Sequence, residues 1–118
     1  MSLKHPTAKS FKYAFSGLKL AFKNEPNLRI HVLIGIIALL FGLIFNLNAV
    51  ELALLVLTIT FVILLELLNT TLEAVVDLAS PEVKPTAKLA KDVSAAAVLL
   101  SAIASVIIGA LLFIPKII

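Results

Sequence analysis

The sequence lacks cysteine and tryptophan and has only four glycines among its 118 residues. The absence of cysteine excludes disulfide scaffolds, cysteine zinc sites and thiol catalysis. The glycines, at positions 17, 35, 42 and 109, fit neither the phosphate-binding loop G-x-x-x-x-G-K-[ST] nor the dinucleotide-binding turn G-x-G-x-x-G. Charge is also scarce, since 14% of the residues are charged, against about 25% in an ordinary soluble domain. These absences exclude soluble P-loop and Rossmann architectures.

Apolar residues dominate the chain, which is 61% hydrophobic and has a mean hydropathy of +1.13. A soluble chain this short could not bury so much apolar surface, so we predict an integral membrane protein. Three stretches contain no Lys, Arg, Asp or Glu, at 30–50, 52–65 and 93–114. A helix of about 20 mainly apolar residues crosses a bilayer, so each stretch is assigned to one spanning helix. The second stretch reaches this length only if its helix runs from Ala49 to about Asp77 and includes acidic residues. We predict one all-α membrane domain over residues 1–118, with spans at 28–47, 49–79 and 87–114.

The segment 6–24 has the pattern of an amphipathic helix. Its apolar face carries Phe11, Phe15, Leu18 and Phe22. Its opposite side carries Lys12, Lys19 and Lys23. This pattern is typical of a surface helix that lies in the membrane interface, with aromatic rings at the acyl boundary and lysines at the headgroups. The alternative is a soluble amphipathic helix packed on a partner protein.

The basic residues are unevenly distributed along the chain. Six of the ten come before residue 30, namely Lys4, Lys9, Lys12, Lys19, Lys23 and Arg29. Three more lie in 78–92, and only Lys116 lies near the C-terminus. The positive-inside rule therefore predicts a cytoplasmic N-terminus and a cytoplasmic 78–92 segment, with the 46–51 turn and the C-terminus outside. In so hydrophobic a chain, a basic N-terminus favours an anionic membrane surface over nucleic acid.

Local signals predict where the helices begin and end. Asn48, followed three residues later by Glu51, predicts a capping box at the start of the second span. Thr86 is predicted as the N-cap of the third span. Pro26 disfavours helical geometry at the preceding residue, so we expect Glu25 at a break between two helices.

Small residues recur at every fourth position of the third span, at Ala97, Ser101, Ser105 and Gly109. Such a row lets helices approach closely in lipid. Three helices alone form a thin bundle with little interior. We therefore expect the chain to associate into an oligomer.

The second span carries four polar residues on one face: Glu66, Asn69, Glu73 and Asp77. At about 1.5 Å per residue, this acidic stripe is roughly 16 Å long. Acidic residues within a span are costly and indicate function by default. Carboxylates this close repel one another unless a cation lies among them, either a divalent metal or the lysines at 84, 88 and 91.

Two interpretations of the acidic stripe remain open at this point. Acids, lysines and a Mg²⁺ ion at one membrane face suggest phosphoryl transfer, in which a carboxylate takes the proton of the acceptor. Periodicity alone equally allows a proton or cation pathway, as in a small transporter. Asp92, beyond the stripe, is also explained as a helix-start acid paired with Lys88.

The residues themselves resemble a known family. Segment 66–77 is E-L-L-N-T-T-L-E-A-V-V-D, and A-K-L-A-K-D at 87–92 is followed by A-A-A-V-L-L at 95–100. These segments resemble the two-part signature of the prokaryotic diacylglycerol kinase family, E-x-x-N-[TS]-x-x-E-x-x-[VI]-D and A-K-x-A-K-D-x-x-A-x-A-V-L. The family includes undecaprenol kinases. Matches also occur at Tyr13, Gly17, Leu18, Asn24 and Glu25.

The resemblance implies a homotrimer in a bacterial cell membrane, with three spans and one surface helix in each subunit. Active sites would lie between subunits at the cytoplasmic face, with ATP as co-substrate, Mg²⁺ as cofactor and a membrane lipid alcohol as acceptor. Glu66 would be the general base, and Glu25 and Glu73 would bind the metal. Asn69, Thr70, Phe15 and Arg29 would position the substrates. The nucleotide would contact Tyr13, Glu25, Glu73, Glu82, Lys84, Lys91 and Asp92.

The acceptor is suggested by the start of the first span. Asn27-Leu-Arg29-Ile-His31 resembles the N-x-[RK]-I-H pattern of Gram-positive undecaprenol kinases, and it favours undecaprenol over diacylglycerol. His31 is otherwise explained as an interfacial residue at the start of a span. Lys84 departs from the family, in which a His is frequent at this position. The alternatives from other classes are a small cation or proton transporter that uses the acidic stripe and a non-catalytic accessory subunit.

Overall fold

The computed structural model describes residues 6–118, and this part of the chain forms four helices. Their bounds are α1 Thr7–Asn24, α2 Pro26–Ile44, α3 Ala49–Ala79 and α4 Pro85–Ile117. By length and composition, α2, α3 and α4 can each cross a membrane. The predicted fold class, three apolar spans preceded by an N-terminal helix, is confirmed. Of the basic residues that favour a cytoplasmic N-terminus, Lys4 lies outside the described residues.

Helix α1 ends at a sharp break before α2. Glu25 has an extended backbone, with φ −111° and ψ 100°, and Pro26 occupies the first turn of α2. Proline explains this geometry, because it disfavours helix at the residue before it and suits the first helical position. Arg29 braces the break, since its Nη1 donates to the carbonyl oxygens of Phe22 (2.9 Å) and Lys23 (2.7 Å).

A tight turn joins α2 to α3. The N–H of Asn46 donates to the Leu43 carbonyl and the N–H of Leu47 to the Gly42 carbonyl, with Asn46 at φ 57°. These bonds form a Schellman motif, and asparagine tolerates the left-handed conformation that it requires. The first span therefore ends at Ile44, earlier than the predicted residue 47.

Asn48 begins α3 with the predicted capping box. The Glu51 backbone N–H donates to Asn48 Oδ1 at 2.9 Å, and the Asn48 N–H donates to Glu51 Oε1 at 3.0 Å. The same Glu51 oxygen lies 3.2 Å from Nζ of Lys116 at the end of α4. Glu51 therefore has a structural role, and α3 covers the predicted range 49–79.

The prediction of Thr86 as the N-cap of the third span was wrong. The cap position is Lys84, and α4 begins at Pro85 and continues to Ile117, beyond the predicted range 87–114. Proline is favoured at the first helical position because its φ is already helical and it has no N–H to leave unpaired. Thr86 therefore lies inside the first turn.

Two glycines bring α2 and α3 close together. A Cβ atom at Gly35 would lie 2.6 Å from Ile59 Cγ2, and one at Gly42 would lie 3.1 Å from Leu55 Cδ2. The two glycines are two helical turns apart and share one face of α2, so they set the antiparallel register of the helix pair.

Helix α4 packs along α3 as well, so α3 is the central helix. Ser101 is buried and Ser105 half-buried on the side of α4 that meets α3. Both hydroxyls donate to carbonyl oxygens of their own helix, at 2.7 Å. A Cβ atom at Gly109, in contrast, would meet nothing within 4 Å.

The spans leave most of their large apolar side chains exposed. Leu47, Leu55 and Leu112 form a small core beside the α2–α3 turn, where the Phe45 and Phe113 rings also meet edge to face. The radius of gyration is 17.4 Å, whereas a compact soluble chain of this length has about 13.5 Å. The single chain thus leaves apolar helix faces exposed, and these faces suit lipid or other protein chains.

Candidate functional site

Glu66 is the buried charged residue of α3. Its relative exposure is 5%, and its Oε1 lies 3.3 Å from Nε2 of His31 on α2. Glu25 and Glu73 lie near enough for their negative charges to oppose the charge of Glu66. His31 and Glu66 thus meet between α2 and α3, and Glu25 and Glu73 lie within electrostatic reach of Glu66.

Asn69 and Glu73 continue the acidic stripe one and two turns beyond Glu66. Asn69 Nδ2 donates to Glu73 Oε1 at 3.1 Å, which fixes the orientation of the amide. Asn69 Oδ1 is buried and has no hydrogen-bond partner among residues 6–118. Thr70 donates its hydroxyl to the backbone carbonyl of Glu66 at 3.0 Å. An unpaired buried oxygen next to the Glu73 carboxylate is an acceptor available to a cation or a donor group.

The last residue of the stripe faces α4. Asp77 forms an ion pair with Lys91, which ties the end of α3 to the start of α4. Lys88 and Asp92 form the i,i+4 pair that their spacing predicts, and both side chains are exposed. The stripe is therefore divided between partners: its first residue contacts α2 and its last contacts α4.

A groove separates α1 from α3, and we call it the α1–α3 groove. Its volume is about 370 Å³, and its polar lining includes Tyr13, Asn24, Glu25, Thr70 and Thr71. Gly17 also lines the groove, and a Cβ atom built there would meet nothing within 4 Å. Three predicted site residues, Tyr13, Glu25 and Thr70, therefore line one surface.

A second cavity lies around the α3–α4 loop, and we call it the loop pocket. Its volume is about 260 Å³, and its charged lining residues are Asp77, Glu82, Lys84, Lys88 and Lys91. Glu82 and Lys84 form an exposed ion pair at 3.2 Å, which contributes little stability. The predicted nucleotide contacts are thus split, because Tyr13 and Glu25 line the groove while Glu82, Lys84 and Lys91 line the pocket.

Two residues predicted to position substrate, Phe15 and Arg29, line neither the α1–α3 groove nor the loop pocket. Phe15 is exposed on α1, at 67% of its full accessibility. Arg29 uses Nη1 to brace the end of α1, as described above.

The residues present fit a magnesium ion. Glu25, Glu73 and the free Oδ1 of Asn69 are all oxygen donors, which Mg²⁺ prefers, and Mg²⁺ commonly uses one or two carboxylates with water and phosphate oxygens. Residues 6–118 contain no group of three or more His, Cys, Asp or Glu side chains arranged to hold a metal. The donors suit an ion delivered with a phosphate ligand better than a metal enclosed by protein.

The contact between His31 and Glu66 was not predicted from the sequence. His31 drew notice only through the N-x-[RK]-I-H pattern, as an indication of the acceptor. A usable signal exists, because His31 and Gly35 are four residues apart on one face of α2. A face that carries glycine for close approach can also bring its polar residue to the neighbouring helix.

Comparison with known proteins agrees with the resemblance. The sequence profile described as prokaryotic diacylglycerol kinase matches residues 12–113. A diacylglycerol kinase of Synechocystis sp. is 46% identical over 107 residues, which are 90% of this chain and 61% of that protein. An undecaprenol kinase of Bacillus subtilis is 39% identical over 92% of this chain and 88% of its own length. A diacylglycerol kinase of Escherichia coli is 32% identical over 84% and 81%.

The chain spans less than two thirds of the Synechocystis protein but most of the other two relatives. The profile match covers nearly all of the four-helix structure, including the acidic stripe and Lys88 and Lys91 of α4. The chain therefore belongs to the prokaryotic diacylglycerol kinase family of lipid kinases.

Proposed function

We propose that this chain transfers the γ-phosphate of ATP to the hydroxyl group of a membrane lipid alcohol at the cytoplasmic face. The observation that carries the proposal is the buried Glu66 carboxylate, with Glu25 and Glu73 within electrostatic reach. A lone acid in a span is costly, and a cluster of three acids suits a site that receives a cation with its substrate. Family membership supports a kinase over a transporter.

Glu66 acts as the general base in this proposal. Its carboxylate accepts the proton of the lipid hydroxyl while the hydroxyl oxygen attacks the γ-phosphorus. The bond between the γ-phosphorus and the bridging oxygen breaks, and ADP leaves with the electron pair of that bond. The products are ADP and a lipid phosphate, and the proton stays on Glu66 until water or ADP removes it.

Glu25 and Glu73 would hold the metal, assisted by Asn69 Oδ1. Bound there, Mg²⁺ would neutralise the charge of the phosphate oxygens. Asn69, Thr70, Phe15 and Arg29 are proposed to position the substrates. The remaining nucleotide contacts are proposed at Tyr13, Glu82, Lys84, Lys91 and Asp92.

The split of these residues between the α1–α3 groove and the loop pocket supports an active site shared by two chains. The exposed apolar faces of the spans also support an oligomer, and we propose the homotrimer implied by the resemblance. The N-terminus and the α3–α4 loop would lie in the cytoplasm, where the basic residues favour them.

Undecaprenol is proposed as the preferred acceptor, with diacylglycerol as the alternative. The support is the segment Asn27-Leu-Arg29-Ile-His31 at the start of α2. The relatives include proteins named for each acceptor.

Transfer of labelled γ-phosphate tests the proposal. Purified protein in mixed micelles would receive ATP, Mg²⁺ and either undecaprenol or diacylglycerol. We expect label on undecaprenol at a higher kcat/KM than on diacylglycerol, and none with Glu66→Gln. Label on diacylglycerol alone would contradict the acceptor assignment. No label on either lipid, with a folded protein, would contradict the kinase and favour a cation pathway through the acidic stripe.

A further inference from the structure

We propose that His31 is a positioning residue that holds the Glu66 carboxylate in place for proton abstraction. The inference rests on the proposed role of Glu66 as general base. It is carried by the contact between His31 Nε2 and Glu66 Oε1, at 3.3 Å, which joins two different helices.

The contact matters energetically because both side chains are largely buried. The Glu66 side chain is 6% exposed and the His31 side chain 23% exposed. A carboxylate removed from water is costly unless a donor or an opposite charge satisfies it. A proton on Nε2 would face Oε1 across this 3.3 Å separation and satisfy that oxygen, and Oε2 would then remain for the hydroxyl of an acceptor.

The packing of α2 on α3 explains why the two side chains meet. Gly35 lies one turn beyond His31 on the same face, where a Cβ atom would stand 2.6 Å from Ile59 Cγ2. Leu28, one turn before His31, is buried on that face too. Buried Leu28 and closely packed Gly35 thus flank His31 along α2, and they fix its backbone beside α3 and Glu66.

Holding the carboxylate matters because glutamate has three rotatable side-chain bonds. A base that samples several orientations spends little time within reach of the hydroxyl proton. Misplacement of a reacting group by about 1 Å can cost on the order of 100-fold in rate. His31 therefore affects the rate of turnover through Glu66, without contact to the nucleotide.

The test compares two substitutions of one residue. His31→Leu removes the donor and keeps a side chain of similar bulk. His31→Gln keeps an N–H group at a similar distance from the backbone. For His31→Leu we expect kcat to fall about 10- to 100-fold while the KM for Mg·ATP changes less than about 2-fold. For His31→Gln we expect kcat within about 3-fold of wild type, which a merely structural role would not require.

Thr58→Val is the matched control. Thr58 is a half-buried polar residue of α3 whose hydroxyl donates to the Leu54 carbonyl of its own helix at 2.7 Å. Its loss removes one polar group from the spans without contact to Glu66, so kcat should stay near wild type. Melting temperature in detergent and nucleotide binding would be measured for every variant.

The outcomes separate this inference from the proposed function. Wild-type protein that labels no lipid alcohol overturns both. Active wild type with undiminished kcat in His31→Leu overturns the role of His31 alone. A raised KM for the lipid with unchanged kcat also overturns it, since His31 would then contact the acceptor. A fall of kcat in His31→Leu with recovery in His31→Gln supports it.

Discussion

At the scale of single residues, the chemistry depends on how Glu66 differs from the other acids of the stripe. Glu66 is buried beside an imidazole, Glu73 accepts from an amide, and Asp77 is exposed and paired with a lysine. These surroundings suit a base, a metal ligand and a structural ion pair, respectively. Replacement of each acid by its amide separates the roles, because the amide keeps nearly the same shape.

We expect Glu66→Gln to lower kcat by about 100- to 10,000-fold, the range typical of a lost general base. Glutamine keeps an oxygen for His31, so the contact between α2 and α3 survives. Binding of a fluorescent ATP analogue should be nearly unchanged. Loss of nucleotide binding in this variant would instead assign Glu66 to the metal.

Glu73→Gln should raise the Mg²⁺ concentration for half-maximal activity by at least about tenfold, the usual scale for a damaged metal site. The substitution removes a charge but keeps the oxygen that accepts from Asn69. Titration of phosphate transfer with Mg²⁺ at saturating ATP measures the effect. Asp77→Asn is the control and should leave the Mg²⁺ requirement unaltered. An identical titration curve for Glu73→Gln and wild type would refute the metal assignment.

At the scale of helices, the register of α2 on α3 is set by glycine. We expect Gly35→Val to push α2 away from Ile59, which weakens the contact of His31 with Glu66. Overpacking of this kind costs about 1–3 kcal/mol of unfolding free energy. The variant should therefore melt at a lower temperature and lose activity together. Gly109→Ala adds a methyl group where nothing lies within 4 Å, and it should change neither property.

A substitution at the N-cap of α3 should affect stability but not activity, because Asn48 lies far along the helix from Glu66. Asn48→Ala removes the capping acceptor and should destabilise the protein by about 1 kcal/mol. Thermal unfolding in detergent would show this loss. kcat measured at a temperature where the variant is folded should match wild type. A large fall in kcat would mean that the two ends of α3 are coupled.

Sequence patterns predicted the helices well, because long apolar runs, Asn48 with Glu51, and Pro26 are local signals. The N-cap of α4 was wrongly predicted at Thr86 because Pro85, which is favoured at the first helical position, starts the helix before the Thr86 hydroxyl can cap it. The contact of His31 with Glu66 depends on the register of two helices, which a single sequence does not specify. The acidic stripe was predictable from periodicity, whereas its division between α2 and α4 required the packed structure.

At the scale of the whole molecule, the proposed nucleotide contacts of one chain lie on two separate surfaces. Tyr13 and Glu25 line the α1–α3 groove, while Lys84 and Lys91 line the loop pocket. The principal dimensions of 53 × 40 × 21 Å describe a flat body with wide apolar faces. Assembly of several chains would cover those faces and could complete each groove with a neighbour's loop pocket.

Mixed oligomers test this arrangement. Glu66→Gln and Lys91→Ala would each be inactive alone if both residues serve the same site. Co-expressed in one membrane, they should regain a measurable fraction of wild-type transfer when one subunit supplies Glu66 and another supplies Lys91. The control is co-expression of Glu66→Gln with Glu73→Gln, because these two residues lie on one face of the same helix and one subunit would supply both. Activity in neither mixture would contradict a shared site.

The two ends of the three spans are fastened differently. At one end a Schellman turn, a capping box, the pair of Lys116 with Glu51 and a leucine core lock α2, α3 and α4 together. At the other end, α3 and α4 are linked by the ion pair of Lys91 with the exposed Asp77. We expect slow thermal motion to separate the helices most at the end opposite the α2–α3 turn, beyond Glu66, which His31 contacts. The proposed lipid alcohol would then reach Glu66 laterally from the bilayer, between helices that stay folded.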